Sequence, residues 1–255
     1  MRKLLLLANP GIQGVNWAPQ VFNVLERYKQ YFKSPVGGYW QDDEIIDYQD
    51  IADSQAEANW VAIQLAEITR HADYSIIVFI GHGGVMHGED VVQLSKGQLC
   101  PVSCLTGNNE QGIRRTVIID ACRTFIGAQQ QLILEEQRTF SQGGMLLGLR
   151  CRDYYNEIIA NCTPHTELIQ STRYGEPAAA ISQGTAFSNA LFDVVASNTP
   201  LWSHLASVDP NSVNCKTNQN VLEMAAGNMG VFNQVPQIAS SDGSFTFPFF
   251  AVRRN

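Results

Sequence analysis

The chain predicts an α/β fold built on a mostly parallel sheet with helices on both faces. Three observations predict it. Short apolar segments alternate with segments of helical period along the chain, which is the pattern of parallel strands joined by crossover helices. Two of the apolar segments, 75–80 and 116–121, are runs rich in β-branched residues rather than alternations. Such strands are buried on both faces. Each run also delivers a reactive side chain at its end, His82 after the first and Cys122 after the second. In open α/β sheets ligands bind outside the carboxyl ends of the strands.

The elements follow in order. Residues 2–8 read as the first strand. In 19–32 the apolar positions Val21, Phe22, Leu25, Tyr28 and Phe32 recur at helical spacing. Residues 44–48 read as the second strand. A long helix spans 54–72, opened by a capping box of Ser54 and Glu57, with Ala58, Val61, Leu65 and Ile68 as its inner stripe. The runs 75–80 and 116–121 are strands three and four. A Gln-rich stretch containing glycines, 126–148, follows the cysteine. Residues 154–161 read as helix, 167–171 as the fifth strand and 186–196 as helix. The last strand is 245–252, where Pro248 marks an edge position. Without an internal repeat or a long linker, 1–255 reads as one domain.

Composition narrows the function. A chain of 255 residues with 45% hydrophobic content can bury a large core. A net charge of −7 argues against a nucleic-acid partner. No apolar run reaches the roughly 18 residues of a membrane span, so no membrane association is expected. The start imitates a secretory signal, but Asn9-Pro10-Gly11 ends its apolar stretch short of the roughly 7 residues such a signal needs. The expected location is the cytoplasm. Six cysteines are too few for a disulfide scaffold. Cys100 and Cys104 with His82 and His87 fit no standard zinc spacing, so no metal is expected.

The two strand ends carry chemistry. A thiol is mostly protonated at neutral pH, and a neighbouring imidazole shifts it toward the nucleophilic thiolate. The imidazole then protonates the leaving amine. Acyl transfer also needs donors for the oxyanion. The N–H of Gly83, which no side chain obstructs, and that of Cys122 are the candidates. A His-Gly-Gly turn or a core cysteine is unremarkable alone. The pair at the ends of adjacent strands points to catalysis.

Strand-Gly81-His82-Gly83 followed by strand-Asp120-Ala121-Cys122-Arg123 resembles the caspase-like cysteine peptidases, the clan of caspases, metacaspases and paracaspases. The caspase signature is Q-A-C-[RQG]-G with its histidine about 50 residues upstream. Here Asp120 replaces the Gln, Thr124 replaces the Gly, and the histidine is 40 residues upstream. An aspartate two residues before the cysteine is the metacaspase and paracaspase form. The segment 171–175 resembles the caspase strand along the substrate groove, 184–187 the start of the following helix, and 234–237 a metacaspase tail.

The resemblance implies a three-layer sandwich with a mostly parallel sheet of about six strands, a single peptidase domain and no prodomain. It implies His82 and Cys122 as the catalytic dyad and a protein or peptide as substrate. Asp120, Ser171 and Glu176 are the implied substrate-binding residues. A carboxylate at 120 favours cleavage after Arg or Lys by charge-assisted hydrogen bonds. The pocket arginine of caspases falls near Ala180, against an aspartate specificity. Further metacaspase acids fall near Asn16 and Ala180, neither acidic here. Asp120 then works alone or with Glu176, Asp47, Asp50 or Asp53. Arg138, the basic residue in 126–148, is a candidate self-cleavage site, although 129–139 also reads as a surface helix. No cofactor is expected. Some metacaspases need calcium, and Asp42-Asp43-Glu44 is the acidic cluster, but a solvated loop is its simpler reading. Either a monomer or a homodimer fits. Two other classes compete. One is a catalytically silent caspase-like scaffold that binds protein partners, and the intact pair argues against it. The other is a flavodoxin-like protein, which 11–14 does not support because it lacks the phosphate-loop spacing.

Overall fold

The computed structural model describes residues 1–11, 18–48, 55–95, 98–107, 112–124, 132–133, 145–181, 184–198 and 213–253. The chain opens with β1 (Arg2–Asn9), α1 (Gln20–Lys33), β2 (Ile45–Tyr48), α2 (Gln55–His71) and β3 (Tyr74–Gly81). A small antiparallel sheet follows, β4 (Gly83–Met86), β5 (Glu89–Ser95) and β6 (Gln98–Pro101), then α3 (Val102–Thr106) and β7 (Arg115–Asp120). After β8 (Leu132–Ile133) come α4 (Met145–Asn161), β9 (Thr166–Gln170), β10 (Ala180–Ile181), β11 (Gly184–Thr185) and α5 (Ala186–Asn198). The chain continues through β12 (Val213–Thr217), α6 (Asn218–Asn228), β13 (Gln237–Ser240) and β14 (Pro248–Arg253).

The main sheet has six strands in the order β13-β9-β7-β3-β1-β2. All its neighbours pair parallel except β13, which runs antiparallel to β9. The apolar runs explain the layers. On β1, Leu4, Leu6 and Ala8 join the core beneath α1, α4, α5 and α6, while Leu5 and Leu7 join the core on the other face with α2 and α3. On β3, Ile76, Val78 and Ile80 face the first core and Ile77 and Phe79 the second. A strand covered on both sides has no position for a polar residue, hence the run. On α1, Val24, Leu25, Tyr28, Tyr31 and Phe32 are buried. Tyr28 meets Phe192 of α5 edge-on at 4.8 Å, and Tyr31 stacks on Phe249 of β14 at 5.2 Å.

Three expectations need correction. The helix ahead of the fifth strand starts at Met145 rather than 154, because Gly148 interrupted the apolar pattern that marks it. The segment 245–252 does not join the main sheet. It pairs with β12 as a separate two-stranded ribbon, with Pro248 at its first position, where the missing N–H costs no ladder bond. The sixth strand is instead β13, whose alternation of exposed and half-buried residues is that of an edge. Residues 83–86, 89–95 and 98–101 form the small antiparallel sheet, a segment to which the sequence assigned no element. The capping box at Ser54 lies outside the described residues, and α2 buries Val61 and Ile68 as its stripe predicts.

Candidate active site

Strand register brings the two reactive side chains together. β3 and β7 are neighbours, and their last paired residues are Ile80 and Asp120. His82 and Cys122 each lie two residues beyond that pair. Gly81 allows the turn. Its φ is +155°, and a Cβ there would stand 2.4 Å from the Asn9 carbonyl oxygen. Gly83 allows close approach. A Cβ there would lie 2.9 Å from the Ala121 Cβ and 3.0 Å from the Cys122 carbonyl oxygen. His82, Cys122 and Asp120 line one cavity of about 40 Å³, walled also by Ala178, Ala179 and Thr185.

Each group has local partners. The His82 Nε2 lies 3.3 Å from the Pro10 carbonyl oxygen. A ring nitrogen facing a carbonyl carries the proton, which leaves the other nitrogen as the acceptor. The Cys122 Sγ accepts a hydrogen bond from the Ala178 N–H at 3.2 Å. Asp120 is buried, and its Oδ2 accepts hydrogen bonds from the hydroxyls of Thr185 and Ser188. Its Oδ1 has no hydrogen-bond partner among the described residues. Burial pushes the Asp120 carboxyl up to about 6, against the pull of those hydroxyls. Three of the other cysteines are held protonated, chiefly by burial: Cys100 is pushed up to about 12, Cys215 to about 11, and Cys162 is also raised.

The remaining candidates fall elsewhere. Ser171 is buried, and its hydroxyl donates to the Ala121 carbonyl at 2.9 Å. It braces the turn before the cysteine and does not line the cavity. Glu176 is tied to Arg173 at 2.7 Å, and its backbone carbonyl accepts the Arg123 N–H, so its carboxylate also stays off the cavity wall. Asp47 on β2 pairs with Lys29 at 2.8 Å and is not a wall residue. Asn16, Asp50, Asp53 and Arg138 lie outside the described residues. The carboxylates at 42–44 diverge: Asp42 pairs with Lys33, and Glu44 turns inward between Arg2 and Arg152. Burial would raise Glu44, but the hydrogen bonds from Arg152 and Arg2 hold it at about 2. Among the described residues no three His, Cys, Asp or Glu side chains converge as a metal ion requires.

The family model described as Caspase domain matches residues 29–248. The chain belongs to the caspase domain family. That family is one of cysteine peptidases. No curated protein matches the sequence. Among solved structures, the caspase-1 of Spodoptera frugiperda is similar with a TM-score of 0.56 at 11% identity, covering 94% of this chain and 85% of its own. A protein of Geobacter sulfurreducens matches with a TM-score of 0.55 at 12% identity over 99% of each chain. At these identities the likeness shows the fold. Among the described residues no helix is long and apolar enough to cross a membrane.

Within this caspase fold, several contributors to the site escaped the sequence reading. The Pro10 carbonyl and the Ala178 N–H are backbone groups and carry no signal in residue type. Thr185 and Ser188 did carry one. Thr185 Oγ1 accepts the Ser188 N–H at 3.1 Å, the helix-start arrangement that a Thr three residues ahead of a small polar residue announces. The partners of Arg123 were missed as well, and no local pattern marks them.

Proposed function

We propose that this caspase-domain chain is a cysteine endopeptidase that uses the Cys122–His82 dyad and cleaves after Arg or Lys. One observation carries the reading: thiol, imidazole and a buried carboxylate converge on one cavity. The Cys122 sulfur attacks the scissile carbonyl carbon. His82 takes the thiol proton and passes it to the leaving amine, whose departure leaves an acyl-enzyme. Water activated by His82 then hydrolyses the thioester. The N–H groups of Gly83 and Cys122 receive the oxyanion. The Ala178 N–H is a donor that a thiolate binds more strongly than a thiol.

Asp120 supplies the specificity. Its Oδ2 is occupied by Thr185 and Ser188, which leaves Oδ1 to accept from a guanidinium or ammonium. At about 40 Å³ the cavity holds a few waters at most. A basic side chain therefore enters only as the cavity walls part. The test is labelling with an arginine chloromethyl ketone, in which the thiolate displaces chloride to form a thioether. The expected result is one adduct on Cys122, none on Cys122→Ala, and none from the aspartyl analogue. A wild type that takes no label would favour the scaffold reading.

A further inference from the structure

Arg123, the residue after the nucleophile, is 8% exposed. Its guanidinium meets Asp90 of β5 fork to fork, Nε to Oδ1 at 2.9 Å and Nη2 to Oδ2 at 2.7 Å. Nη1 donates to the Thr172 carbonyl at 3.0 Å and to the Gln237 Oε1 at 2.8 Å. The Gln170 Nε2 donates to Asp90 Oδ2 at 3.0 Å. The Arg123 backbone is held too: its N–H donates to the Glu176 carbonyl, and its carbonyl accepts the Gly175 N–H, each at 3.0 Å. One ion pair thus joins β5, the chain after β7, the chain after β9, and β13.

The far side of this pair reaches the histidine. β5 carries Gln93, whose N–H donates to the His82 carbonyl at 2.9 Å. Gly83 pairs with Val92 of the same strand. The Val85 N–H donates to the Thr124 carbonyl at 2.9 Å. The β3–β7 ladder ends at Ile80 and Asp120, so it fixes neither His82 nor Cys122 directly. The segments that carry the dyad are joined beyond the ladder by the β4–β5 hairpin and by Asp90–Arg123.

We propose that Asp90 is a positioning residue. Through Arg123 it holds the β4–β5 hairpin, and with it His82 and Gly83, in place against Cys122. The proposal rests on the dyad reading above. Its signature is a loss in kcat without a loss in KM, because the latch sets the spacing of reacting groups and not the Asp120 pocket. A misplacement of about 1 Å costs up to about 100-fold in rate.

The experiment measures kcat, KM and melting temperature for wild type, Asp90→Asn, Asp90→Glu, Arg123→Lys and Glu44→Gln on an arginyl peptide. Glu44→Gln breaks a buried ion pair remote from the dyad and controls for lost stability. The expected result is a kcat about 10- to 100-fold lower in Asp90→Asn and Arg123→Lys, with KM within about threefold. Asp90→Glu should recover part of the loss, and Glu44→Gln should lower the melting temperature with kcat unchanged. An Asp90→Asn enzyme with wild-type kcat, or with the loss in KM alone, would overturn the latch. Turnover that survives Cys122→Ala, or no turnover at all, would instead overturn the dyad reading. The latch is then read by hydrogen exchange. Faster exchange over 82–93 and 121–124 in Asp90→Asn but not in Glu44→Gln supports it, and unchanged exchange there removes it.

Discussion

Asp120 is sealed from solvent, and its Oδ1 has no hydrogen-bond partner among the described residues. Burial raises its carboxyl from about 3.8 to about 6, so the folded chain holds this proton more tightly than the unfolded chain does. The stability that follows is complete below about pH 3.8 and is lost as the pH rises through about 6. At neutral pH the ionised carboxylate costs the fold on the order of 3 kcal/mol. Asp120→Asn should therefore melt higher than wild type near pH 7.5, with the difference closing toward about pH 4. The same variant should lose about 10- to 100-fold in cleavage after Arg, the value of one charge-assisted pair. Thermal melts across pH alongside peptide kinetics check both halves. A variant that melts lower at neutral pH and cleaves as well as wild type would refute the assignment of this carboxylate to substrate.

The turn at the end of β3 makes a prediction of its own. Gly81 combines a positive φ with a Cβ position 2.4 Å from the Asn9 carbonyl oxygen, so Gly81→Ala must push β3 away from β1 just before His82. Turnover should fall by more than about tenfold, with roughly 1–3 kcal/mol of lost stability. Gly243 also has a positive φ, +81°, but faces open space. Gly243→Ala should therefore cost stability alone. Equal kinetics for the two variants in an activity assay would contradict this account of the turn. Elements like β3 were legible in the sequence because a doubly covered strand must be apolar throughout. β1 and β7 share that constraint, and the buried stripe of α1 announces a helix. The β4–β5 hairpin was not legible. Its strands are four and seven residues long and begin among glycines, and its exposed polar positions, such as His87 and Glu89, break any run. β13 was missed for a similar reason: an edge strand has only one neighbour and half its residues face water.

Across the whole molecule, the meeting of His82 and Cys122 in one cavity was readable because each follows the end of its own strand, whereas the groups around them come from distant parts of the chain. Thr185 is 65 residues from Asp120, and Asp90 is 33 residues from Arg123. Only the folded sheet brings them together. A peptidase that cleaves after basic residues has a candidate self-cleavage bond in its own chain, Arg138–Thr139, which we propose is cut. The expected result is a cut at 138–139 in purified wild type and an intact chain in Cys122→Ala, as read by intact-mass spectrometry. A fully active, uncut wild type would remove it. In the proposed function, Cys122 and His82 act as one catalytic unit on basic peptides. The most direct measurement is kcat/KM for wild type, Cys122→Ala, His82→Ala and the double variant on fluorogenic peptides with Arg, Lys or Asp before the cut. Turnover is expected after Arg and Lys, with little after Asp. Each single variant should lose nearly as much as the double variant, since groups acting as a unit are not additive. Appreciable turnover in Cys122→Ala, or equal cleavage after Asp and Arg by wild type, would rule out the proposed dyad or its basic specificity.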